Sequence, residues 1–171
     1  SWVVAWAVVA SAASSTWAAT IAWQSNDGSL GDNTLWSNDD NWVGGAAPVD
    51  LDDVTIGIPV AGGSRITNND LPAGTQINGI LMTANLNEVN GNSINLGGNV
   101  AYTAGGSSVG KIGAPIVLLQ DTTYSVSANT SNGRLEVGGG ISGNFGLSKA
   151  DAGRLRFVGT AKTYTGNTIV T

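Results

Sequence analysis

Three carboxylates fall within four positions at Asp50, Asp52 and Asp53, and a looser set, Asp27, Asp32, Asp39 and Asp40, lies just upstream. Two carboxyls at a defined separation can hydrolyse a glycoside, and clustered carboxylates can hold Ca²⁺. Neither chemistry is well served here. Neighbours in a strand face opposite ways, so Asp52 and Asp53 do not converge on one ligand. Aspartate is also at home in turns and strand entries, which is the expected role of this trio. The stretch from Ser25 to Asn33 lacks the glutamate that closes a Ca²⁺ loop. A weak Ca²⁺ site among the four upstream aspartates is the most that set supports. Arg134 with Glu136, and Arg154 with Arg156, alternate onto one strand face and would line a groove, although such residues more often form a solvated outer surface.

The chain has no histidine and no cysteine. That removes the commonest general base, the commonest metal ligand and every thiol nucleophile. The expectation is a protein that is not an enzyme, with no catalytic residue, no cofactor and no metal. Net charge is −5 with three lysines, which argues against nucleic acid as a partner. Charge is unevenly spread: residues 1–88 carry nine acids against Arg65 alone, whereas residues 89–171 carry six bases against three acids. All six tryptophans lie within the first 42 residues. Trp17, Trp23, Trp36 and Trp42 could stack on a sugar, but packing of a first coil or an interface is the favoured reading, since aromatics carry large buried area.

The elements that would position these groups are short strands. Val54-Thr55-Ile56, Ile94-Asn95-Leu96, Leu135-Glu136-Val137 and Leu155-Arg156-Phe157 alternate apolar and polar residues, so each sends two side chains to one face. Asn78-Gly79, Asn90-Gly91 and Asn132-Gly133 read as turns. No segment carries a helical stripe with caps. Strand anchors at Val54, Ile77, Ile94, Ile116, Leu135 and Leu155 recur at intervals of 23, 17, 22, 19 and 20 residues. A recurrence of about 20 is what one coil of a β-solenoid consumes; a β-sandwich, with turns every 8–12 residues, is the alternative. Stacked coils also suit a chain with 25 glycines and only 11% charged residues, because like charges repeating from coil to coil repel.

The carboxyl stretch from Phe145 to Thr171 resembles the autotransporter-associated β-strand repeat of large bacterial surface proteins. Gly146, Leu147 and Lys149 match the start of that pattern, Gly153, Leu155, Phe157 and Gly159 its centre, and Tyr164, Thr165, Gly166, Thr168 and Val170 its end. Asp151 stands where glycine is usual, and one extra residue precedes Tyr164. The Trp-rich stretch Trp36–Gly57 more weakly resembles the opening that precedes such arrays. The resemblance implies a right-handed parallel β-helix exported to the bacterial surface, and it brings no catalytic residue with it. It covers under a third of the chain, and the strands of a membrane barrel are missing.

From Trp2 to Ala10 there are nine consecutive apolar residues, and no charge precedes Asp27. This run is too short to span a membrane as a helix, which takes roughly 20 residues, so no transmembrane segment is expected. Ala10-Ser11-Ala12 looks like a leader-cleavage site, but a starting Met and a basic stretch before the apolar run are lacking. The expectation is an ordered, buried strand. Solenoids need their ends covered, and no capping element is evident near Thr171. Residues 1–23 are therefore expected to form an inter-subunit arm, with Trp2, Val3, Val4, Trp6, Val8, Val9, Trp17, Ile21 and Trp23 adding to the next copy as a strand. Residues 24–53 would be a Trp/Asp-rich entry segment and 54–171 the all-β, right-handed parallel β-helix. The expected function is a structural subunit of an extracellular or cell-surface filament or layer, whose partner is itself in a head-to-tail homopolymer. An adhesin-type fragment that binds cell-surface glycans or a receptor is the second reading.

Overall fold

The computed structural model describes residues 19–25, 34–57, 65–127 and 132–171. They form a parallel β-solenoid with coils about 24 residues apart. In chain order, β1 (Thr20–Ala22) lies at the amino end, and β2 (Asp52–Ile56), β3 (Ile66–Asn69) and the start of β4 (Gln76–Met82) make the first full coil. The rest of β4 opens the second coil, completed by β5 (Glu88–Gly91) and β6 (Ile94–Leu96). The third comprises β7 (Val100–Tyr102), β8 (Val109–Ile112) and β9 (Ile116–Leu118), and the fourth β10 (Thr122–Val126), β11 (Arg134–Val137) and β12 (Ile141–Gly143). A further coil follows in β13 (Leu147–Ala150) and β14 (Arg154–Phe157), with only the Ile141–Lys162 bridge on its third face, and β15 (Thr168–Val170) begins the level above. The described residues contain no α-helix, only a 3₁₀ turn at Asp39–Asn41.

Each coil has three faces, and every named strand pairs in parallel with its counterpart one coil away. The first face stacks β1, β2, the end of β4, β7, β10, β13 and β15; the second stacks β3, β5, β8, β11 and β14; the third stacks the start of β4, β6, β9 and β12. On the first face Val54 pairs with Ile80, Ile80 with Val100, Val100 with Tyr124, Thr122 with Leu147 and Leu147 with Thr168, advances of 26, 20, 24, 25 and 21 residues. The coil is thus longer than the 20 residues expected from the strand anchors. Those anchors hop between faces: Val54 lies on the first, Ile77, Ile94 and Ile116 on the third, and Leu135 and Leu155 on the second.

The core consists of inward columns running up the stack. Ile56, Met82, Tyr102 and Val126 form one; Ile94, Ile116 and Ile141 another; Val89, Ile112 and Val137 a third, all buried. Burying each such side chain contributes about 1.5–3 kcal/mol. The aromatic rings need space from the opposite face. Gly110 supplies it: a Cβ there would lie 2.7 Å from a Tyr102 ring carbon.

The corners are held by side chains that reach the coil above. Asp50 Oδ1 accepts the Gln76 amide at 2.8 Å, Asn85 Oδ1 that of Val109 at 2.9 Å, Asn99 Oδ1 that of Thr123 at 2.8 Å, and Asp121 Oδ1 that of Gly146 at 2.7 Å. These residues do more than close local turns, because each satisfies a backbone donor that the ladder leaves free. Asn78-Gly79 is not a turn at all. It is a corner inside β4, where one continuous strand passes from the third face to the first.

Candidate functional site at the carboxyl-end coil

The two ends of the stack differ. At the amino end Trp23, Trp36 and Trp42 are buried, with Trp42 edge-on to both others at centroid distances of 5.1 and 5.6 Å. Trp42 Nε1 donates to the Trp36 carbonyl at 2.8 Å. Gln24 Nε2 ties the same turn down through the carbonyls of Asp40 (3.0 Å) and Trp42 (3.1 Å), and the Ser37 hydroxyl donates to Asp70 at 2.5 Å. The three indoles therefore cover the first coil from below, as the packing reading of these tryptophans required.

This corrects the assignment of two arm residues. Ile21 lies in β1, in register with Val54, and Trp23 is buried in its own chain, its amide bonded to the Thr55 carbonyl at 2.8 Å. One edge of β1 is taken by β2, and the Trp23 indole is enclosed against Trp42 of its own chain. Trp2, Val3, Val4, Trp6, Val8, Val9 and Trp17 lie outside the described residues. The expected boundary between 53 and 54 falls inside β2.

The aspartate trio takes structural roles. Asp52 is buried and accepts the amides of Ala19 (3.0 Å) and Val49 (2.9 Å); Asp53 accepts from Asn78 Nδ2 at 3.0 Å; Asp50 bonds Gln76. Each carboxylate serves a different backbone or amide donor, and the three do not converge. Asp39 Oδ1 accepts the Ala47 amide at 2.8 Å.

At the carboxyl end the repeat-like stretch makes up the last described coil. Gly146 precedes β13, Leu147 and Lys149 lie in it, Gly153 leads into β14 with Leu155 and Phe157, and Gly159 turns with φ +68°. Tyr164 packs against the core, Gly166 stacks on Gly146, and Thr168 and Val170 lie in β15. Asp151, the departure from the glycine pattern, has φ +67°, a left-handed conformation that glycine adopts freely and aspartate tolerates. Its carboxylate accepts the Ser125 hydroxyl one coil below.

In this coil the apolar columns come into the open. Above Val54, Ile80, Val100 and Tyr124 the same column continues with Lys149 and then Val170, which is 75% exposed. The Lys149 ammonium donates to the carbonyls of Ala150 (3.0 Å) and Asp151. Leu147, Leu155, Phe157 and Val170 line a groove of about 880 Å³, with Arg134, Arg154 and Arg156 beside them. On the third face Lys162 spends its ammonium on the carbonyls of Gly139 (2.6 Å), Thr160 (2.7 Å) and Val158 (3.3 Å), and desolvation holds its pKa below the ordinary lysine value.

The outer second face carries a feature that strand-by-strand reading missed. Glu88 is in register with Lys111, Lys111 with Glu136, and Glu136 with Arg156. Signs alternate up the stack, with Lys111 Nζ 3.7 Å from Glu88 and Arg156 3.0 Å from Glu136. Like charges were expected to repeat and therefore to be rare; here opposite charges alternate instead. The signal was present as acid, base, acid, base at coil spacing. Arg134 also donates to Glu136 on its own strand at 2.6 Å.

Glu136 is consequently held below the usual carboxylate range. The Arg134 hydrogen bond is the largest cause, opposed by burial and reinforced by the charges of Arg134 and Arg156. Its native pKa is depressed, so its contribution to stability is present above the unfolded carboxylate pKa, about 4.3, and lost as pH falls through the native value. Melting temperatures of wild type and Glu136→Gln should therefore differ at pH 7 and converge toward pH 2. A pH-independent gap would show that the ion pairs do not carry the effect.

This geometry defines the class of protein, a parallel β-solenoid of about four turns with dissimilar ends. No protein-family model, curated protein or solved structure matches the chain.

Proposed function

We propose that this chain is a structural subunit of an extracellular bacterial filament or surface layer, its copies stacked end to end. The carrying observation is the last described coil, where Phe157 is 38% and Val170 75% exposed over a slice of core that every lower coil covers with another coil. A further strand laid along the outer edge of β15 would pair with it and cover Val170, the mode of β-strand addition. The apolar run Trp2–Ala10 of the next copy has the composition for this role. The repeat-like pattern from Gly146 to Val170 supports export to the bacterial surface. A heterologous contact that does not close into a ring yields a fibre.

Deleting residues 2–16 should convert filaments, seen by negative-stain microscopy, into monomers or short oligomers. Long filaments from the truncated protein would remove the arm as connector. One observation favours the adhesin reading: a shallow outer groove of about 480 Å³ on the first face brings Asp53, Asn78, Asn99 and Gln120 together. A wild-type protein that stays monomeric and binds glycans, with loss of binding in Asn99→Ala, would favour that alternative.

A further inference from the structure

The end-to-end reading leaves open what fixes the polarity and register of a junction. We propose that the charge ladder does so: it continues across the junction, and a carboxylate from the acidic amino-terminal part of a second copy forms the rung above Arg156. The inference rests on the end-to-end reading and adds a partner chemistry to it.

The ladder is unbalanced at its top. Glu136 is one carboxylate shared by two guanidiniums, those of Arg134 and Arg156. Arg154 stands in register directly above Arg134, like on like, and its side chain has no hydrogen bond or ion pair among the described residues. Opposed like charges on neighbouring strands destabilise a sheet, whereas opposite charges stabilise it. Three guanidiniums against one carboxylate thus leave the second face electropositive in the last described coil, with the Arg156 side chain 60% exposed.

The complementary charge is in the same chain. Nine of its twelve acids precede residue 89, opposed there by Arg65 alone. Asp39 and Asp40 stand exposed on the 3₁₀ turn that leads into Trp42. Asp39 is engaged with the Ala47 amide, but the Asp40 carboxylate has no bond among the described residues. Head-to-tail stacking brings acid to base, head-to-head brings acid to acid, and tail-to-tail brings arginine to arginine. Exposed pairs are individually weak, so their main effect is on orientation and association rate.

The test uses two charge-reversed full-length proteins, one carrying Arg154→Glu and Arg156→Glu, the other Asp39→Lys and Asp40→Lys. Circular dichroism establishes that each is folded. Each alone should fail to elongate, by light scattering and microscopy, because both its ends bear one sign. Mixed in equal amounts they should polymerise, since each reversed end meets a complementary one. Wild-type elongation should also slow about tenfold or more between low and high salt. Should either reversal fail to fold, this salt dependence decides the matter alone. Folded variants that elongate alone like wild type, or that fail when mixed, would overturn the proposal, as would salt-independent assembly. Wild type that does not assemble at all would instead overturn the end-to-end reading beneath it.

Discussion

Replacing Trp42 with alanine should be among the most damaging substitutions, lowering stability by about 3–5 kcal/mol. The indole is wholly buried, packs edge-on against Trp23 and Trp36, and donates its Nε1–H to the Trp36 carbonyl. Alanine would leave a cavity, remove both aromatic contacts and take the indole donor from the Trp36 carbonyl. A solenoid is held together by nearest-neighbour contacts, so the loss should be felt first at the amino end. Hydrogen exchange should show protection falling in β1 and β2 while β10 and β11 keep theirs. For a chain of this size the melting temperature should drop by about 10 °C or more. Uniform loss of protection along the stack would mean that the coils unfold as one unit and that the Trp cluster is no local cap.

Gly139→Ala should be nearly as severe for a different reason. A methyl group at Gly139 would overlap the backbone carbonyl of Ala114, one coil below, and come within 2.8 Å of the Gly113 carbonyl. A rotating side chain could make way, but stacked backbone cannot. The corner must open, straining the neighbouring pairs between Ile141 and Ile116. A cost of about 3 kcal/mol is expected, at the upper end for overpacking. Gly138→Ala is the control, because its nearest contact would be the Val158 methyl at 3.8 Å. Thermal melts of the two variants should differ by several degrees; equal melts would show that the corner yields without resistance.

The strands themselves were legible in the sequence. Val54-Thr55-Ile56, Ile94-Asn95-Leu96, Leu135-Glu136-Val137 and Leu155-Arg156-Phe157 lie within β2, β6, β11 and β14; the apolar members of the first three are buried, and Leu155 and Phe157 stack in register on Leu135 and Val137 but stay partly exposed. Alternation reports the face locally, and nothing distant is needed to read it. Coil length was less legible, because it is a property of one face, and apolar residues on all three look alike in sequence. Equally hidden was the place of Ile21 and Trp23 within their own coil. An uninterrupted apolar composition does not reveal which residues pair in their own chain, and here Ile21 pairs with Val54 while Trp23 meets Trp42. The arginines of the carboxyl-end site were recognised as sharing a face. The lower rungs of the same ladder, Glu88 and Lys111, were not, since that relation exists only once the register is known.

That register has a consequence for how such a rod can change in length. Stacked coils are in principle interchangeable units, to be gained or lost singly. Here Glu88, Lys111, Glu136 and Arg156 change sign at every level. Removing one coil from the middle would lay Glu136 on Glu88, or Arg156 on Lys111, whereas removing two restores attraction. Parity is built into the outer wall, and growth or shortening by even steps is the path that electrostatics leaves unopposed.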